Sequence, residues 1–148
     1  MVQPKRIQRK RTKGFNLQEY SKSLNGLECV IVSRPSKWGN PFKLQGDMIY
    51  IDASHRRKIL SPWVYLCMGD LEKVVRLYKC VVTGMMQEGE YGIEFDNLHD
   101  IMFWVEHFKK LNAWELKGKN LSCWCGETFL CHADILLELA TKAERHYR

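Results

Sequence analysis

Near the carboxyl end, Asn120-Leu121-Ser122-Cys123-Trp124 has the composition of a buried strand, and a short loop carries the chain into an amphipathic helix that opens at His132. This strand–loop–helix unit constrains the fold more than any other feature. A strand followed by a helix that packs back on its sheet is the building piece of an α/β layer. The loop itself is rich in reactive side chains: Cys123-Trp124-Cys125, then Cys131-His132-Ala133-Asp134. A strand end facing a helix N-terminus is where small α/β proteins collect anionic ligands.

The rest of the pattern agrees with that class. Cys29-Val30-Ile31-Val32, bounded by Gly26 and Arg34-Pro35, reads as a buried strand. Pro35 and Pro41, with Gly39-Asn40 between them, force an irregular loop. Met48-Ile49-Tyr50-Ile51 is a second strand after a Gly46-Asp47 turn; Ser54 to Lys58 reads as a surface turn, and Trp63 to Leu66 suits strand or helix. From Asp70 to about Val82 the spacing predicts a helix, with Leu71, Val74, Val75, Tyr78, Val81 and Val82 on one face, Asp70 as N-cap and Gly84 as stop. Met85 to Phe95 reads as a loop or hairpin. Asp96 or Asn97 then caps a helix that buries Ile101, Trp104, Val105, Phe108 and Leu111. The last helix runs from His132 to about Arg145, burying Ile135, Leu136, Leu139, Ala140 and Ala143.

No repeat or linker-like tract divides the chain, so residues 1–148 are expected to form a single α/β domain: a small layered fold, mostly parallel sheet flanked by about three helices. The first and last of these strands are expected to be parallel neighbours. That pairing would set the Arg34–Phe42 loop beside the Cys123–Asp134 loop. A content of 45% hydrophobic residues is enough to bury a core without disulfides. The basic N-terminus lacks the apolar run of about 7–15 residues that marks a signal peptide, and no run of about 20 apolar residues suggests a membrane span. Cys29, Cys67 and Cys80 fall inside apolar patterns, where reduced cysteine acts as a small core residue, so a cytoplasmic setting is expected.

Charge is concentrated at one end. Lys5, Arg6, Arg9, Lys10, Arg11 and Lys13 precede every acidic residue, and the remaining basic residues equal the 17 acidic ones in number. The whole excess of +6 therefore lies in the first thirteen positions. Such an arm suits a nucleic-acid partner, which it would bind by releasing counterions; a solvated tail or a first strand with charged edges is the alternative.

Three chemistries are open to the two loops. The types Cys123, Cys125, Cys131 and His132 suit tetrahedral zinc. Two thiols spaced Cys-x-Cys on a strand point to the same face, but adjacent Cys131 and His132 rarely ligate one ion together, so no metal or other cofactor is assigned. The order of histidine and cysteines is also the reverse of that in the zinc deaminases. A thiol site is the second option: Cys131 or Cys125 as nucleophile, with His132 or Asp134 as general base. Anion binding is the third. Arg34 offers a bidentate fork, Ser36 a hydroxyl, Lys37 a point charge, Asn40 a two-sided amide, and Trp38 a face for stacking on a base. Against this, Trp38 and Phe42 could simply anchor the core, with Arg34 bridging Asp134.

The basic opening from Lys5 to Gly14, the loop Arg34-Pro35-Ser36-Lys37-Trp38-Gly39-Asn40-Pro41-Phe42, and Leu116 to Cys125 with Cys131 to Ala140 closely resemble a domain-of-unknown-function family of phage and bacteria. The resemblance spans nearly the whole chain. It implies a compact α/β domain, frequent phage origin, an ordered basic opening, and no established activity. The chain departs from the family pattern at Leu130, where a proline is usual, and in longer connections at Asp52–Trp63 and Gly84–Phe95. The leading expectation is an intracellular protein that binds a nucleotide or other phosphorylated ligand at the two loops. Arg34 and Lys37 would hold phosphate, and Trp38 and Asn40 would read base or sugar. Any reaction at phosphoester or N-glycosidic bonds would fall to Cys125, Cys131, His132 and Asp134. The alternative is a non-catalytic nucleic-acid-binding or host-interaction protein that uses the arm, with the Cys/His cluster structural or zinc-binding.

Overall fold

A computed structural model of the chain describes residues 2–56, 61–84, 98–126 and 129–143. The class is mixed α/β, with four helices and two small sheets. Backbone contacts divide the chain into two units, residues 1–39 with 112–148, and residues 40–111.

The first unit holds a parallel sheet of three short strands, β1 (Arg6–Gln8), β2 (Cys29–Ile31) and the last strand of the chain, Asn120–Cys123. That last strand lies in the middle, with Ile7 opposite Ser122 on one side and Val30 opposite Leu121 on the other. All four of its residues are buried, as expected for the central strand of a parallel sheet. The expected parallel pairing of the Cys29 and Asn120 strands is therefore present, and the basic opening adds an ordered strand beside them. Between β1 and β2 runs helix α1 (Leu17–Asn25). Asn16 caps it by accepting from the Glu19 N–H, and Gly26 ends it in a left-handed turn at φ 80°.

The second unit is an antiparallel meander of β3 (Phe42–Gln45), β4 (Met48–Asp52) and β5 (Trp63–Met68), followed by helices α2 (Leu71–Thr83) and α3 (Leu98–Lys109). The sequence pattern anticipates one mostly parallel sheet. The structure instead has one sheet of each kind, because the Gly46-Asp47 turn joins β3 directly to β4 as a hairpin. Asp70 accepts from the Lys73 N–H at the start of α2, and Gly84 closes that helix at φ 72°. Val74, Leu77, Tyr78 and Val81 are its buried stripe, and Ile101, Val105 and Phe108 that of α3. Asp100 is also fully buried, paired with Arg56 through two bonds and 3.3 Å from His55 Nε2. The expected loop at 85–95 and the cap at Asp96 or Asn97 lie outside the described residues.

Returning to the first unit, a short 3-10 helix (Ala113–Leu116) leads into β6 (Asn120–Cys123), and α4 (His132–Lys142) packs against β1, β6 and the 3-10 turn. Leu136 and Ala140 are buried on that face. The helix expected to reach about Arg145 ends instead at Lys142, where Ala143 turns extended at ψ 142°; residues 144–148 lie outside the described residues.

Candidate functional site

Because β1, β6 and β2 run parallel, their carboxyl ends lie along one edge, and the residues that follow each strand meet there. Main-chain bonds continue past the strand ends: the Arg9 N–H donates to the Cys123 carbonyl at 2.8 Å, and the Val32 N–H to the Ser122 carbonyl at 3.0 Å. The Arg9 guanidinium reaches the Ser33 hydroxyl at 3.1 Å. The first residue of α4 arrives at the same edge, with His132 Nε2 2.8 Å from the Val32 carbonyl. The turn after β2 and the thiol–imidazole turn are thus neighbours at this edge.

The cysteines of the β6–α4 connection converge beneath it. Alternation along the strand end puts Cys123 and Cys125 on one side, with sulfurs 3.8 Å apart, and turns Trp124 to the other. Cys131 is the N-cap of α4, and its sulfur lies 3.5 Å from the Ala133 N–H. The three sulfurs lie within 4.8 Å of one another. His132 Nδ1 stands 3.6 Å from the Cys131 sulfur and 4.0 Å from that of Cys123. A carbonyl only accepts, so Nε2 carries the imidazole proton toward Val32, and the Nδ1 lone pair faces the thiols. Hydrogen bonds from Cys125 and Cys131 hold the Cys123 thiol well below the ordinary cysteine range; the same interactions push Cys125 and Cys131 above it. Elsewhere, burial raises the thiols of Cys29 and Cys67, as suits reduced core cysteines.

Above the cluster the surface is basic and aromatic. The Trp124 side chain is exposed, at 39%, and the guanidinium carbons of Arg9 and Arg11 sit 4.3 and 4.8 Å from its ring centre. Lys10, Lys13 and Arg34 are exposed around the same strand ends. Arg6 has a different part: it donates to the carbonyls of Phe129 and Gly126 at 2.8 and 3.2 Å and pairs with Asp134 at 3.3 Å. The partner of Asp134 is therefore Arg6, where the sequence suggested Arg34, because β1 brings Arg6 to the amino end of α4. Lys5 contributes its main-chain N–H, which donates to Asn120 at 2.8 Å.

The turn from Ser33 to Gly39 is bonded within itself. The Ser36 N–H donates to the Ser33 carbonyl, the Gly39 N–H to the Ser36 carbonyl, and the Trp38 N–H reaches the Ser36 hydroxyl at 3.3 Å. Lys37 pairs with Glu115 at 2.6 Å. Trp38 is only 4% exposed, so its ring is a core anchor and offers no face for stacking; the exposed ring at this edge is that of Trp124, over which Arg9 and Arg11 lie. Asn40 begins the second unit, where its side chain accepts from the Phe42 N–H at 2.9 Å. Of the expected catalytic group, Cys131 and His132 are 2% and 5% exposed, Cys125 is half-buried, and Asp134 is exposed but held by Arg6. Sequence reasoning missed Trp124 as the presented aromatic. The signal was its place between two cysteines that share the opposite side of the strand.

No described helix is long and apolar enough to cross a membrane. No curated protein and no solved structure matches the chain significantly. A family model does match, over residues 7–142, which takes in most of the first strand, both turns and α4. The chain belongs to the family described as Domain of unknown function (DUF4326).

Proposed function

We propose that the carboxyl edge of the parallel sheet binds nucleotide phosphates without catalysing a reaction, and that a single nucleic-acid strand is the ligand that uses the whole edge. The observation that carries this reading is the exposed Trp124 ring flanked by Arg9 and Arg11. Aromatic faces set in basic grooves are how proteins hold unpaired strands, bases stacking while cations follow the phosphates. Lys10 and Lys13 continue the basic track along the arm, and Arg34 extends it at the neighbouring strand end. Among the described residues, Asp134 and Glu115 are each paired with a cation, so they do little to repel phosphate. Catalysis is the weaker reading. The imidazole of His132 is spent on Val32 and the thiols, and a nucleophile as buried as Cys131 has little access to a substrate.

The test is binding of labelled oligo-dT and oligo-U to the full chain by fluorescence anisotropy, beside thermal-shift assays with mononucleotides. Oligonucleotide affinity should fall steeply with salt. Trp124→Ala should weaken it about tenfold, and Arg11→Ala should flatten the log–log salt slope by about 0.7. Affinity that ignores salt and both substitutions refutes the reading. Equal stabilisation by a mononucleotide would move the ligand to the small-molecule class.

A further inference from the structure

We infer that Cys123, Cys125, Cys131 and His132 form a structural zinc site of the Cys3His type, His132 binding through Nδ1. The inference is independent of what the edge above them binds. Thiolates held 2.3 Å from a tetrahedral ion stand about 3.8 Å apart, and an imidazole nitrogen at its usual zinc distance lies about 3.6 Å from each of them. Cys123 and Cys125 are 3.8 Å apart, and Nδ1 is 3.6 Å from the Cys131 sulfur and 4.0 Å from that of Cys123. All three sulfurs fit within 4.8 Å, tighter than the spread that ligands of an iron–sulfur cluster need.

The imidazole supplies a second, separate observation. Its Nε2–H is committed to the Val32 carbonyl at 2.8 Å, the outer hydrogen bond by which metal-binding histidines fix their tautomer and orientation. Nδ1 thereby faces the Cys131 and Cys123 sulfurs with its lone pair. The adjacency of Cys131 and His132, which argues against shared ligation in a regular strand or helix, is resolved by the backbone. Cys131 is extended, at φ −147° and ψ 146°, and His132 is the first helical residue, so their side chains can turn toward one point. Four protein ligands in a largely buried pocket make the site closed and structural, with no open position for substrate. On binding, each cysteine releases its proton to solvent, three Zn–S bonds and one Zn–N bond form, and the ion gives up its waters. The site would then carry one net negative charge beneath Arg9 and Arg11, and would hold Trp124 outward between its two ligating neighbours.

The experiment is elemental analysis of the full chain purified without chelator, followed by removal of metal and titration with cobalt(II). One zinc per chain is expected, together with the strong visible absorption and thiolate charge-transfer bands of tetrahedral cobalt. His132→Gln should weaken metal binding at least tenfold and alter the cobalt spectrum, as loss of the nitrogen ligand requires. Should that variant fail to fold, Cys125→Ser, at a half-buried position, carries the test: zinc should raise the melting temperature of the parent chain and leave that of the variant nearly unmoved. A chain with no stoichiometric zinc and no cobalt–thiolate absorption overturns the site. Undiminished affinity in His132→Gln overturns its fourth ligand.

Discussion

Asn120 ties several parts of the first unit together. Its amide nitrogen donates to the Ser21 hydroxyl at 2.7 Å and the Asn25 side chain at 2.8 Å, and its oxygen accepts from the Lys5 main chain and from Asn25. One fully buried amide thus joins the first strand, the first helix and the central strand. Removing it takes a partner from the buried Ser21 hydroxyl, the half-buried Asn25 amide and the Lys5 main chain, so Asn120→Ala should lower stability by about 2–3 kcal/mol, read from the midpoint of urea unfolding. Single residues were where sequence reading was least secure. The chemistry of Cys125, Cys131 and His132 was legible as a cluster. Whether the exposed ring would be Trp38 or Trp124 was not, since both follow strands and local pattern says nothing about which turn folds inward. Arg6 likewise reads as one cation among six, yet its neighbours at the end of α4 make it a clamp on the loop before that helix.

At the scale of elements, the long helices were the most legible. Helix α2 has an apolar stripe, an aspartate cap and a glycine stop, and it forms from Leu71 to Thr83. Helix α1 carries Leu17, Tyr20 and Leu24 at i, i+3 and i+7, with an Asn16 cap and a Gly26 stop, yet at nine residues beside the run of cations sequence reasoning missed it. Strand β3 is hidden because Phe42 follows directly on Pro41, and its pairing is set by the hairpin turn. The turn from Ser33 to Gly39 was recognisable as irregular, though not its tight closure. A Cβ at Gly39 would lie 2.8 Å from Arg34 Cγ and 3.0 Å from Arg34 Cα, so the main chain there must shift for any side chain to fit. Gly39→Ala should therefore displace Arg34. We expect a loss of oligonucleotide affinity of several-fold with far-UV circular dichroism unchanged; a variant that binds like the parent would remove Arg34 from the binding edge.

For the whole chain, the division into two units was hidden from composition. Residues 40–111 interrupt the first unit in sequence; the first junction falls within the Pro35–Pro41 loop, which reads as a turn inside one domain, and the second, at Leu111-Asn112, carries neither glycine nor proline. The α/β class was readable from alternating strand and helix patterns, whereas the second sheet's direction depended on a turn. The zinc site belongs wholly to the first unit, and this gives a test by hydrogen exchange. Chelation should speed amide exchange at 120–123 and 132–140 by at least tenfold, while leaving 63–68 and 71–83 close to their starting rates. Uniform acceleration across both stretches would mean that the metal supports the chain as one cooperative body.

The central position of β6 also bears on how the polypeptide is made. Its neighbours are translated first and wait for it: β1 and β2 belong to the opening 31 residues, whereas the strand that joins them ends at Cys123. Residues 40–111 are contiguous and can fold as they leave the ribosome, but the parallel sheet cannot close until Asn120–Cys123 has followed them. During that interval the basic opening is a nascent segment without its sheet partner, and Arg9 and Arg11 have no Trp124 ring to lie against.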